Sequence, residues 1–196
     1  HYLDALTPLF LLSGDRLNAG DLHHFGIVHA VVDYEQFDPL IQALAQTDWH
    51  QTAIESILQQ AHTPCSVGPW ITQRSKLLKH SQNLELETLQ HALNTDPNPW
   101  VQSLGHALSM HSPTSLALIS ALYQNHHPIS LAHCLNIELY LACFCLHHPD
   151  FKEGVRARLI DKDHQPQWKP AHFSALNWED LRHITFQAQH AHTLKL

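Results

Sequence analysis

The chain has 196 residues, 44% of them hydrophobic and 15% charged, enough for a sizeable core in one domain or slightly more. Eleven basic against eighteen acidic side chains give a net charge of −7 with histidines neutral, so the basic stripe that nucleic-acid phosphates require is missing. The longest apolar run, Leu139 to Leu146, is far too short to span a bilayer, which excludes a membrane-crossing segment.

Three further features bound the reading. The apolar stretch Pro8–Leu12 has no basic flank, so no signal peptide is expected, and the cytoplasm or an organelle interior is the default compartment. Cys65 and Cys134 stand alone, while Cys143 and Cys145 lie two apart in an apolar helical stretch, where they cannot form an unstrained disulfide. They read as buried thiols in a reducing compartment. The chain opens on His1 and its only methionine is Met110, so an upstream segment is expected.

Along the chain, helices alternate with proline or polar punctuation. Tyr2–Leu12 is apolar and ends at the polar turn Ser13-Gly14-Asp15. Asn18 caps a helix that closes near Gly26. Ile27–Val32, rich in β-branched residues, is the one expected strand. Helices follow at Pro39–Gln46, Trp49–Ala61, Trp70–His80 and Leu86–Leu93. Asn98 and Pro99 start another that runs to Met110, and Ser112 with Pro113 start the next, to Tyr123. Ser130 caps a longer helix to about Leu146. Asp150 and Glu153 have capping-box spacing and open a short helix to about Leu159. A polar loop, Asp161–Pro170, carries Trp168, and an amphipathic helix at Trp178–Gln187 closes the series.

No self-contained active site emerges from these elements. Cys143/His147 and Cys145/His148 have the helical spacing that two metal donors need, but the stronger reading is an apolar helix carrying the cysteines with the histidines in its C-terminal turn. The other histidines recur at no fixed interval, and no metal site is expected. Gly-rich phosphate loops and a GxSxG elbow are absent. No catalytic residue is assigned.

Three ordered runs carry a resemblance. They are Ser112-Pro-Thr-Ser-Leu116, Asp150-Phe-Lys-Glu-Gly-Val-Arg-Ala157, and Leu159-Ile-Asp-Lys-Asp163 continuing to Pro166, Trp168 and Pro170. Together they resemble the 3-hydroxyisobutyryl-CoA hydrolase branch of the enoyl-CoA hydratase/isomerase (crotonase) superfamily. Upstream, Leu12–Asp21 and Gly26–Asp33 are similar to that superfamily's "LTG-x-R-L … D … G-L-A … V-D" segment. The similarity is weakest between Pro64 and Met110.

The resemblance implies a mainly α chain with one short strand near 27–32, forming the C-terminal part of a crotonase-like α/β fold. Residues 1–34 would end the crotonase-like core and residues 35–196 would form a C-terminal helical region. In the family, a preceding half supplies a glycine-rich oxyanion hole and two acidic stretches. Neither occurs in this sequence, so the chain is expected to be inactive alone. No resident cofactor is implied, because the substrate would itself be a coenzyme A thioester.

Lys162 is the one candidate binding residue, since lysines near this point in related enzymes can face the CoA phosphates. A homo-oligomer is expected, with no nucleic-acid or membrane partner. An enoyl-CoA hydratase or isomerase parent and a non-catalytic assembly module are the other readings. A strand at 27–32 without sheet neighbours would further predict association or concealment of its edge.

Overall fold

The computed structural model describes residues 4–124 and 130–190, so the start of the Tyr2–Leu12 stretch lies outside the described residues. The chain divides into two compact units: His1–Thr7 with Asp15–Lys79, and Pro8–Gly14 with His80–Leu196.

In the first unit, α2 (Ala19–His24) begins where Asn18 caps it, its side chain accepting the Asp21 N–H at 2.7 Å. The buried Asp21 reaches α5 (Pro69–Thr72) by accepting the Gly68 N–H at 2.8 Å. A Cβ at Gly68 would overlap this carboxylate, so glycine is required there by the close approach. Buried Trp70 donates its indole N–H to Asp15 at 2.9 Å. The hairpin of α3 (Phe37–Gln46) and α4 (Gln51–Ala61) packs together, yet neither helix contains a buried residue. Arg74–Lys79 begin α6 (Arg74–His80).

The strand expected at 27–32 does not form, and no strand occurs among the described residues. Residues 27–29 bend instead, with the Ile27 and Val28 amides folded back on the Leu22 carbonyl. Val31 then uses a side chain where a strand would use a ladder. Its N–H donates to Nδ1 of His62 at 3.0 Å, and its carbonyl accepts the Thr63 N–H at 2.7 Å. β-Branched residues favour extended backbone, but a strand exists only through a partner strand, and here an imidazole takes that place. The expected association through an open strand edge therefore loses its premise.

The second unit holds the larger core. α7 (Leu86–Asn94) buries Leu86, Leu89 and Leu93, and α8 (Pro99–Met110) buries Val101, Leu104 and Leu108. These spacings put each trio on one helix face, and the two faces pack as a hairpin. Gly105 permits that approach, since a Cβ there would strike the Asn94 side chain. Asn98 caps α8 through the Trp100 and Val101 amides, with Pro99 at the first turn, as the sequence predicts. α9 (Pro113–Gln124) starts at Ser112, whose Oγ accepts the Ser115 N–H. Ser130 caps α10 (Leu131–His147), and α12 (Trp178–Gln189) packs against both α9 and α10.

Two starts use caps that the sequence reading did not name. α7 is capped by Glu85, which accepts the Glu87 and Thr88 amides, and the Thr88 hydrogen bonds hold its pKa below the usual carboxylate range. α11 (Pro149–Val155) is capped by His148, whose Nδ1 accepts the Asp150 N–H, so no Asp150–Glu153 capping box forms. Pro149 at the first turn moves the cap two residues upstream, from Asp150 to His148, and both acids are drawn to distant partners. The helix then widens into a single π-turn over Arg156–Ile160, closed by the Asp161 N–H on the Arg156 carbonyl.

Candidate functional site

The second unit carries an open cavity of about 680 Å³. α1 (Thr7–Ser13) contributes Leu11 and Leu12, and α9 contributes Leu116 and Ile119. Phe144 of α10, Phe151 and Val155 of α11, and Trp168 of the following loop complete its apolar walls. Leu11, Phe151 and Leu159 remain largely exposed, so apolar side chains also form its mouth. Such a volume and lining suit a small organic group.

One end of the cavity is polar and tightly organised. Asp150, buried to 6% exposure, accepts the Ser112 hydroxyl on Oδ2 at 2.5 Å and the Lys169 N–H on Oδ1 at 2.7 Å. These bonds join the start of α9, the start of α11 and the Trp168 loop at one carboxylate. Trp168 donates its indole N–H to the Met110 carbonyl at 3.2 Å and lays its ring over Gly154. A Cβ at Gly154 would come within 3.3 Å of that ring, which accounts for glycine inside a helix. Sequence motifs thus reappear as one interlocked wall.

The polar groups of this wall are bonded to one another. Both oxygens of Asp150 and the hydroxyl proton of Ser112 are committed to each other and to backbone amides. Burial pushes the Cys145 thiol pKa up, which disfavours the nucleophilic thiolate. His111 donates from Nε2 to the Ser13 carbonyl at 3.1 Å, which fixes its tautomer beside Gly14. The His147 ring turns back on its own helix, bonding the Cys143 carbonyl at 2.8 Å, and no metal-holding cluster occurs among the described residues.

Lys162 lies outside the cavity lining, exposed on the turn after the π-segment with φ +56°. Arg156 anchors that turn. It pairs with Glu153 through Nε and Nη2 at 3.0 and 2.8 Å, and with Asp161 and Asp163 through Nη1 at 2.6 Å each. The Arg156 hydrogen bonds, then the Gln167 N–H, hold the Glu153 pKa down at about 2. Arg156 likewise lowers the Asp163 pKa, assisted by the Gln165 N–H, and its own pKa is raised. Sequence reasoning missed this cluster, although the acids at positions 153, 161 and 163 around Arg156 were its visible signal.

A family model described as enoyl-CoA hydratase/isomerase matches residues 4–185. The mitochondrial 3-hydroxyisobutyryl-CoA hydrolase of Rattus norvegicus is 29% identical over 181 residues, covering 87% of this chain and 46% of the relative. Its Homo sapiens counterpart is 30% identical over 179 residues with the same coverage. The chain therefore spans about half the length of the curated relatives it matches. A carnitinyl-CoA dehydratase structure from Mycobacterium thermoresistibile aligns with a TM-score of 0.78 at 20% identity, covering 99% of this chain and 55% of that one. That likeness establishes the fold alone. No described helix is long and apolar enough to cross a membrane.

Proposed function

The chain belongs to the enoyl-CoA hydratase/isomerase family, and on that premise we propose that it is the C-terminal portion of a coenzyme A thioester hydrolase, with 3-hydroxyisobutyryl-CoA the substrate that best fits. One observation carries the reading. The three sequence runs that resemble the hydrolase branch meet physically, with Ser112, Asp150, Gly154, Trp168 and Lys169 locked together at one end of the apolar cavity. This part of the enzyme binds and shapes, while the polarising amides and acidic groups of the reaction come from outside these 196 residues. Lys162 serves the phosphates of the coenzyme A tail. The intact protein works as a homo-oligomer.

The test is a thiol-release assay with 3-hydroxyisobutyryl-CoA. The purified 196-residue chain is expected to release no coenzyme A, while the protein from the complete open reading frame hydrolyses the thioester. Turnover by the chain alone, abolished by a substitution within it, overturns the proposal. Loss of enoyl absorbance with an enoyl-CoA, without thiol release by the complete protein, assigns it to the hydratase reaction instead.

A further inference from the structure

The triplet Asp161-Lys162-Asp163 carries a contradiction in its charges. A lysine meant for phosphate is flanked on both sides by carboxylates that can capture its ammonium and repel the ligand. Arg156 resolves it. One guanidinium nitrogen, Nη1, takes Asp161 and Asp163 together, and the rest of the fork holds Glu153 and the Gln165 carbonyl. Charge-assisted bonds of this kind are strong and directional, so the carboxylate oxygens stay turned toward the arginine. The backbone is set to match. Lys162 and His164 both adopt left-handed φ, at +56° and +55°, a region that side-chain-bearing residues rarely occupy. With residues 161 and 163 facing Arg156, Lys162 is exposed and no described residue binds its ammonium.

We propose that Arg156 is the positioning residue of a phosphate-reading turn, drawing the two neighbouring carboxylates off Lys162 so that the lysine stands as a single outward cation. The ligand is the phosphate-bearing tail of a coenzyme A thioester. The inference rests on the reading of Lys162 under the proposed function.

The experiment titrates coenzyme A into the 196-residue chain, following amide shifts by NMR, which also reports that each variant is folded. Arg156→Gln is expected to weaken binding about tenfold, because the freed carboxylates fall back on Lys162. Adding Asp161→Asn and Asp163→Asn to that variant is expected to restore affinity to within about threefold of the unaltered chain. Undiminished binding by Arg156→Gln, or no recovery in the triple variant, overturns the proposal alone. Absence of binding by the unaltered chain, or unchanged binding in Lys162→Ala, overturns the reading of Lys162 and the proposal with it. If Arg156→Gln does not fold, Arg156→Lys carries the same comparison, with a loss of about threefold reversed by Asp163→Asn.

Discussion

The hairpins α3–α4 and α7–α8 look alike in sequence, each pairing two amphipathic helices across a short polar loop, yet they are built to different standards. α7–α8 buries six large apolar side chains and brings its helices together at Gly105. α3–α4 buries none, and Phe37 and Ile41 are more than half exposed. Amphipathic patterning therefore makes a helix, but burial decides whether the helix holds a fold together. The second hairpin anchors its unit, while the first is the region expected to open most readily.

The largest effect is expected in the α7–α8 core. Leu104→Ala is expected to cost about 2–5 kcal/mol of unfolding free energy, as for other fully buried leucines. Ile41→Ser, on the exposed face of α3, should stay within about 0.5 kcal/mol. Denaturant titration of both variants checks the pair, and equal losses would refute the contrast. A smaller effect is expected from Asp150→Asn, which keeps size but cannot accept on both sides. The loss should be about 1–3 kcal/mol, with the greatest rise in amide exchange around Ser112 and Lys169.

The subtlest test is acid. Glu153 and Asp163 have folded pKa values below their ordinary ones, so they contribute stability in full above the ordinary carboxylate range. That contribution is lost as the pH falls from about 4.5 through the Glu153 value of about 2. The turn at 161–165 should loosen in that window, seen as shifting amide resonances, and Glu153→Gln should flatten the response.

Much of the helical layout was legible because caps are local. Asn18, Asn98 and Ser130 each start a helix by bonding an amide two or three residues on. The strand is not legible because pairing is not local, and nothing in Ile27–Val32 tells of an imidazole thirty-one residues away. The partners of Asp150 and Glu153 are illegible for the same reason. Their spacing is that of a capping box, but their carboxylates answer to Ser112, Lys169, Arg156 and Gln167. The resemblance drew attention to Ser112, Asp150, Gly154 and Trp168, whereas their contacts, and the cleft they line, emerged only from the fold.

The π-turn at Arg156–Ile160 has a consequence best expressed as phase. It admits one more residue per turn than an α-helix, so everything after it is rotated by roughly 100° relative to an uninterrupted helix. That offset leaves Leu159 and Ile160 more than two-thirds exposed and returns Asp161 to the arginine that began the turn. Removing a single residue here would restore helical register and swing the whole lysine turn to another azimuth without altering one of its side chains. The direction in which Lys162 points is thus encoded in a residue count, upstream of any chemistry at the lysine itself.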